Sequence, residues 1–203
     1  MRSPRSWVRL LHKGCDFMSK LNWKPGTLLA PLPSVMVSCG TMERPNIITV
    51  AWTGIVNSDP AMTYVSIRPE RYSYELIKNS GEFVINLVTK PLVWALDWCG
   101  VKSGRDVDKF AKLNLTPEQG ANVSAPLIAE SPVNLECTVE QILPLGTHSM
   151  FLAKIASVNV APKLLDAKGV LRLDRAGLVV YSHGEYYALG RQLGTFGFSV
   201  RKK

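Results

Sequence analysis

The chain contains 203 residues with a formal net charge of +8, and 46% of its residues are hydrophobic while 20% are charged. This composition is typical of one globular domain, and it excludes a disordered or low-complexity chain. No apolar run reaches the roughly 18 residues that a membrane-spanning helix requires, so no membrane association is expected.

Much of the positive charge lies at the two ends of the chain. Residues 1–17 carry four basic residues and one acidic residue, and residues 201–203 are all basic, which leaves a net charge of +2 for residues 18–200. Charge at two chain ends does not make a basic face, so no nucleic-acid binding is expected. The sequence pI of about 9.4 keeps a nucleic-acid-binding barrel as an alternative.

The first segment and the cysteines bear on the compartment. Residues 1–17 are too interrupted for the apolar core of a signal peptide, and we interpret them as a basic extension before one domain at 18–203. A transit peptide and an upstream start codon both remain open. The four cysteines are widely spaced, which favours free thiols in the cytoplasm over a disulfide framework or a zinc site.

After residue 20, short apolar runs alternate with turn-forming residues. Runs rich in β-branched and aromatic residues predict strands, and one of them, NIITVAWTGIV, predicts one strand with a bulge at Gly54. The predicted strands cover residues 35–39, 46–56, 62–67, 83–88, 133–143, 150–160, 178–181 and 186–189. The residues between the last two strands, SHGE, predict a hairpin turn.

Three stretches predict short helices. Residues 72–78 have helical spacing, with Ser73 as the N-cap and Asn79-Ser80-Gly81 as the end. Residues 91–98 begin with a proline suited to a first helical turn, and 105–113 carry apolar residues three apart. Many short strands with a few short helices predict a mainly β fold, a barrel rather than a doubly wound α/β fold.

Motif searches exclude several kinds of site. The sequence lacks the phosphate-loop pattern, the dinucleotide fingerprint and the H-E-x-x-H zinc motif. It also lacks a catalytic triad or a carboxylate pair. Direct acid–base or metal-assisted catalysis is therefore not expected.

Two groups of residues predict anion sites. Residues 66–73 place Arg68 and Arg71 beside a helix start, where backbone N–H groups and the helix dipole favour an anion. Residues 99–110 place small residues and Arg105 before a helix that carries Lys109. A solvated loop and an exposed charged helix are the alternatives, but two such groups together favour a phosphate-bearing ligand.

Taken in order, these motifs resemble the flavin reductase-like family, in particular its flavoredoxin-type branch. The likeness covers about residues 22–198. The residues that carry it are NIITVAWTG at 46–54, SDP at 58–60, SIR at 66–68, RYS at 71–73, GEFVINL at 81–87, CG at 99–100, SGRDVDKF at 103–110 and YYALGRQLGTFGF at 186–198.

The resemblance implies an FMN-binding split β-barrel with Greek-key-like connections, usually a homodimer with the flavin near the subunit interface. It implies that the strand at 46–52 runs beside the flavin ring, and that the phosphate meets Arg68 and Ser73 together with the second group. His148 would approach and tune the flavin. The implied cofactor-binding residues are Asn46, Thr49, Val50, Ala51, Trp52, Ser66, Arg68, Ser73, Ser103, Gly104, Lys109, His148 and Tyr181. A purely structural role is the alternative for Trp52, Lys109, His148 and Tyr181.

The implied function is that of a flavoprotein oxidoreductase that passes hydride or electrons through FMN. Because a flavin carries its own redox chemistry, no catalytic side chain is required. NAD(P)H or a redox protein such as a ferredoxin would be the electron donor. An FMN-binding electron carrier, or a flavin-binding module without NAD(P)H activity, is the alternative.

Overall fold

The computed structural model describes residues 20–201, so the predicted extension at 1–17 lies outside the described residues. The described chain is mainly β, as predicted. Its strands are β1 (Leu32–Pro33), β2 (Val35–Gly40), β3 (Pro45–Val50), β4 (Thr53–Ser58), β5 (Ala61–Ile67), β6 (Glu82–Leu87), β7 (Pro117–Glu118), β8 (Leu127–Ile128), β9 (Val133–Pro144), β10 (Ser149–Val160), β11 (Val179–Ser182) and β12 (Glu185–Ala188). Its α-helices are α1 (Tyr72–Ser80), α2 (Val93–Val101) and α3 (Lys109–Leu113), and short 3₁₀ segments cover Lys90–Leu92, Pro162–Leu164 and Leu173–Arg175.

Seven strands form one antiparallel sheet in the order β3-β2-β6-β9-β10-β5-β4. Its two edge strands, β3 and β4, are consecutive in the chain and are joined by only Ala51 and Trp52. Because so short a link must hold the two edges together, the sheet curls into a barrel. The Ser66 N–H of β5 donates to the Trp52 carbonyl at 2.9 Å and ties this link to the next strand. The predicted split-barrel fold is confirmed.

The prediction of one strand over 46–56 is wrong. Val50 pairs with Val35 of β2, whereas Thr53 pairs with Val65 of β5, so the chain changes strand partners at 51–52. The bulge also lies further along than Gly54, between Ile55 and Asn57. A run of strand-forming residues has the same pattern whether it pairs with one neighbouring strand or with two in succession. The sequence pattern alone therefore does not show the change of partner strand.

The helices begin and end differently from their predictions. Arg71, not Ser73, is the N-cap residue of α1, and Ser73 lies buried in the first turn. Helix α2 extends to Val101, after the 3₁₀ turn that the proline opens. Helix α3 begins only after Asp108, whose Oδ1 accepts from the Ala111 N–H at 3.1 Å. The loop that precedes α3 is thus available to line a cavity.

A second, three-stranded sheet has the order β1-β11-β12. Its β11–β12 hairpin confirms the predicted turn, with His183 (φ 51°) and Gly184 (φ 95°) in left-handed conformations that suit a tight hairpin. The sheet joins the barrel through β1, which precedes β2 directly. It therefore lies next to the point where β3 passes into β4.

Both faces of β2 and β3 are buried. Because side chains alternate along a strand, Val37 and Ile48 point into the barrel with Phe83 and Phe151. Met36 and Ile47 point outward and pack under α2 and α3, against Leu96 and Phe110. These helices therefore lie against the outside of β3, and the loop between them closes over the end of that strand.

Candidate functional site

A cleft of about 370 Å³ lies where β3 passes into β4. The end of β5, the β9–β10 turn and β11 complete its walls, and four of its lining side chains are aromatic. We call it the aromatic cavity. Its lining residues are Ser34, Ile48, Thr49, Val50, Ala51, Trp52, Ser66, Ile67, Arg68, Arg71, Gly100, His148, Tyr181 and Tyr186.

A second cavity, of about 210 Å³, adjoins the first along β3. Ile48 and Arg71 line both, so the two form one elongated cleft. We call this second part the basic cavity because four of its lining residues are cationic and one is acidic. Its lining residues are Asn46, Ile48, Glu70, Arg71, Tyr72, Ser73, Val101, Lys102, Ser103, Gly104, Arg105 and Lys109.

The structure brings all thirteen predicted cofactor-binding residues to this cleft. The aromatic cavity holds Thr49, Val50, Ala51, Trp52, Ser66, Arg68, His148 and Tyr181. The basic cavity holds Asn46, Ser73, Ser103, Gly104 and Lys109. Arg68 lines the aromatic cavity and Ser73 the basic cavity, and Arg71 lines both. Contact of these residues with a cofactor remains a prediction.

Lys109 is a buried cation at the floor of the basic cavity. Its side chain is only 3% exposed, and its Nζ donates to the carbonyls of Ile47 at 2.7 Å and Cys99 at 2.8 Å. Burial lowers its pKa, and no carboxylate of residues 20–201 forms an ion pair with it. A solvated helix charge is therefore excluded for Lys109. A buried ammonium without a counter-charge is costly, and an anion in the cavity would offset that cost.

Asn46, Ser73 and Gly104 meet at the wall of the same cavity. The Asn46 Nδ2 donates to the Ser73 Oγ at 2.8 Å, while the Asn46 Oδ1 is buried without a partner among the described residues. The backbone of Gly104 lies so close that a Cβ there would overlap the Asn46 amide and stand 2.9 Å from the Tyr72 ring. Only glycine fits at this position without displacing the asparagine.

We expect Gly104→Ala to weaken binding of a phosphate-bearing ligand about tenfold, because the added methyl group must push Asn46 or Tyr72 into the cavity. Isothermal titration of the two proteins measures the difference. Gly190→Ala is the matched control, because a Cβ there meets no atom within 4 Å. Equal affinity of Gly104→Ala and wild type would contradict the close packing.

In the aromatic cavity, Trp52 and His148 present nearly parallel rings, with planes 6° apart and centroids 6.4 Å apart. Burial lowers the pKa of His148 and the charge of Arg68 lowers it further, while Glu70 opposes them. The imidazole is therefore neutral at pH 7. Its pKa is lower in the folded than in the unfolded chain, so this residue makes the protein lose stability as the pH falls through 6.5.

We expect Arg68→Ala to raise the pKa of His148 toward its ordinary value of 6.5, because a positive charge near the ring is removed while Glu70 remains. The ring-proton chemical shift of His148, followed by NMR across a pH titration, reports this change. Lys154→Ala, which removes an exposed cation from β10, should leave the titration unaltered. An unchanged midpoint in Arg68→Ala would show that burial alone sets this pKa.

The outer edge of β3 offers backbone groups to the cleft. Strand β3 pairs with β2 on one side only, and the Ile47 carbonyl points away from β2 because it accepts from Lys109. Since backbone groups alternate in direction along an antiparallel strand, those of Thr49 face the same way as those of Ile47. The cleft thus combines an unpaired strand edge, aromatic rings and cations.

Comparison with known proteins identifies the family. Residues 28–190 match the model of the flavin reductase like domain. The chain belongs to the flavin reductase-like family.

Several known proteins are similar to this chain over most of its length. The structure of flavoredoxin from Desulfovibrio vulgaris (Miyazaki F) superimposes with a TM-score of 0.82 at 33% identity, covering 90% of this chain and 99% of that one. A protein of Archaeoglobus fulgidus is 34% identical over 140 residues, 69% of this chain and 78% of its own length. An NADH-dependent FMN reductase of Streptomyces nodosus subsp. asukaensis is 27% identical over 133 residues, 66% of this chain and 71% of its own length. Family and fold together support a flavin-associated redox role.

Several cleft residues of this flavin reductase-like chain were not among the predicted site residues. Arg71 joins the two cavities, and its Nη2 donates to the Gly100 carbonyl at 2.6 Å. Arg105 donates to the Glu70 carbonyl at 3.1 Å and lies 5.4 Å from the centre of the Tyr72 ring. Both arginines stood in the predicted anion groups, so the sequence signal existed for them. Tyr186 opens the stretch 186–198 that carries the family resemblance, whereas Ser34 has no such signal, because only tertiary packing brings it to the cleft.

Within residues 20–201, the helices are too short or too polar to cross a bilayer.

Proposed function

We propose that this chain binds FMN in the cleft and acts as a flavin-dependent oxidoreductase, with the flavin ring in the aromatic cavity and the phosphate in the basic cavity. The observation that carries the proposal is Lys109, a buried ammonium group with no carboxylate partner in the described chain, at the end of a cleft that is aromatic elsewhere. A planar ring would fit between the aromatic side chains, and a phosphate on the same ligand would pair with the buried cation.

The residues present fit that ligand. Lys109, Arg71 and the N–H groups around Ser103 and Gly104 would hold the phosphate, since charge-assisted hydrogen bonds are the strong ones at such a group. The outer backbone groups of Thr49 would meet the polar edge of the ring. Trp52 and His148 would flank it and exclude water. The unpartnered Asn46 Oδ1 would accept from a hydroxyl of the sugar-like chain.

When bound, FMN supplies the hydride- and electron-transfer chemistry. The protein's own part is to bind and orient the ring and to keep His148 neutral, so that no cation lies against the ring at that point. NAD(P)H is the proposed donor, because one relative is an NADH-dependent FMN reductase. A redox protein such as a ferredoxin is the second candidate donor, favoured by the likeness to a flavoredoxin.

The deciding test is an anaerobic absorbance spectrum of the protein reconstituted with FMN, recorded before and after addition of NADH and then NADPH. Loss of the visible flavin band on addition of a nicotinamide would support the oxidoreductase and name its donor. A band that only dithionite removes would support an electron carrier or a flavin-binding module. A protein that retains no FMN, measured by titration of flavin fluorescence, would contradict the proposal as a whole.

We further propose that the protein is a homodimer. Large apolar side chains remain exposed at both ends of the described chain, among them Trp23 (69%), Leu193 (95%) and Phe196 (104%). Contiguous exposed apolar surface commonly marks an association site. Light scattering coupled to size-exclusion chromatography should give twice the chain mass of 22.4 kDa, and a monomer mass at micromolar concentration would contradict the dimer.

A further inference from the structure

Ser34 has a buried hydroxyl group without a partner. Its side chain is 3% exposed, and within residues 20–201 only its Oγ and the Asn46 Oδ1 are buried side-chain oxygen or nitrogen atoms that lack a hydrogen bond. Leaving a buried polar atom unsatisfied costs about 1–3 kcal/mol. Most buried polar groups in folded proteins are therefore paired, and an exception requires a physical reason.

The position of Ser34 follows from the sheet registers on either side of it. Pro33 pairs with Val180 of the three-stranded sheet, and Val35 pairs with Val50 of the barrel. Ser34 is thus the single residue at which the chain passes from one sheet to the other. That junction lies beside Val50 and Tyr181, at the end of the aromatic cavity far from Lys109.

The surroundings of Ser34 leave the aromatic cavity as the source of a polar partner. Ser34 also borders a groove of about 280 Å³ on its other side, but the side chains that line this groove are apolar. A hydroxyl between an apolar groove and a ligand cleft can gain a hydrogen bond from a ligand in that cleft.

Ser38, in the strand β2 that follows Ser34, shows what a structural serine looks like. Its Oγ donates to the Pro126 carbonyl and accepts from the Asn86 Nδ2 at 2.9 Å. Both hydrogen-bonding roles of that hydroxyl are therefore fulfilled within the protein. Ser34, four residues earlier, has neither.

We infer that Ser34 is a ligand-binding residue that hydrogen-bonds the polar edge of the flavin ring. The inference rests on the proposed FMN-binding function. A serine hydroxyl can donate to a ring carbonyl oxygen and can accept from a ring N–H, and the pyrimidine edge of a flavin presents both. Ser34 and Lys109 thereby bind opposite ends of one ligand, and Ser34 recognises the part that FMN shares with riboflavin.

The test compares Ser34→Ala with wild type in binding of FMN and of riboflavin, which lacks the phosphate. We expect affinity for both flavins to fall about tenfold, because the lost hydrogen bond is to the ring. We also expect the visible absorption bands of the bound flavin to shift. Without ligand, Ser34→Ala should unfold at the same denaturant concentration as wild type or a higher one, since the protein loses no internal hydrogen bond.

Two further variants separate the binding role from packing. Ser34→Cys keeps the shape of the side chain but replaces the hydroxyl with a slightly larger thiol that is only a weak donor, so it should lose flavin affinity as Ser34→Ala does. Ser38→Ala should do the opposite, with lower stability of the ligand-free protein and unchanged affinity for both flavins.

The outcomes are distinct. Wild-type affinity and an unshifted spectrum in Ser34→Ala would overturn the role of Ser34 while leaving FMN binding intact. Reduced stability of ligand-free Ser34→Ala would also overturn it, because the hydroxyl would then have a partner within the protein. Failure of the wild-type protein to bind either flavin would overturn the proposed function, and the role of Ser34 with it.

Discussion

Lys109→Met is expected to lower the affinity for FMN by about 10- to 100-fold while leaving the affinity for riboflavin unchanged. The methionine keeps the length of the buried side chain but removes the cation beside the cavity, and hydrogen bonds that involve a charged group contribute about 1.5–3 kcal/mol each. Because riboflavin has no phosphate, it cannot lose this interaction. Titration of flavin fluorescence with both ligands measures the ratio of the two affinities.

Lys112→Met is the matched control for this variant, because it removes an exposed lysine from the same helix. It should alter neither affinity. Lys109→Met also leaves the carbonyls of Ile47 and Cys99 without their donor, so some loss of stability is expected and must be measured on the ligand-free protein. Equal losses of FMN and riboflavin affinity would mean that Lys109 supports the fold and does not bind the phosphate.

Glu136→Ala is expected to lower the free energy of unfolding by about 3–5 kcal/mol, among the largest effects of a single substitution. The carboxylate is fully buried and accepts five hydrogen bonds. They come from the backbone N–H groups of Ala121 (3.2 Å), Asn122 (2.6 Å) and Val123 (3.1 Å) and from the side chains of Ser157 (2.9 Å) and Asn159 (2.7 Å). Removing the Glu136 carboxylate would therefore leave these five donors without a hydrogen-bond acceptor. Chemical denaturation measures the loss.

The effect of Glu136 should depend on pH. Burial raises the pKa of this carboxyl, but the hydrogen bonds led by that of Asn159 outweigh burial and hold the pKa below its ordinary value of 4.5. The stability that the ionised group contributes is therefore complete above pH 4.5 and declines as the pH falls below it. The difference between wild type and Glu136→Ala should shrink in that range. Glu140→Ala, at an exposed position of the same strand, should differ little from wild type at any pH.

Most strands of the barrel could be predicted because they lie between turn-forming residues and are rich in apolar and β-branched residues. The passage from β3 to β4 could not, because residues 46–56 keep the same β-branched and aromatic composition although their pairing partner changes at 51–52. The predicted helix at 105–113 begins four residues before α3 does, because composition alone does not separate a charged loop from a helix. The charged residues 105–108 suit a helix by composition, yet the close approach of Gly104 to Asn46 holds this segment as a loop.

Some residues of the candidate site could likewise be predicted from the sequence and others could not. Lys109 and Gly104 lie in ordered motifs, so resemblance to a family could indicate them, and their cavity confirms that they lie together. The resemblance could not show that Arg71 lines both cavities while Arg68 lines the aromatic cavity alone, because both arginines follow β5 by a few residues. Ser34 carries no local signal at all. Its place at the cleft depends on two strand registers that only the folded chain brings together.

The wall of the aromatic cavity that holds Tyr181 belongs to the three-stranded sheet and not to the barrel. Hydrogen bonds from the Val179 N–H to the Val88 carbonyl and from the Lys90 N–H to the Gly177 carbonyl anchor that sheet. Local opening of a few such contacts costs less than global unfolding. We therefore expect the three-stranded sheet to open locally more readily than the barrel. We expect amide hydrogens of β11 and β12 to exchange faster than those of β9, and to slow when the cleft is filled.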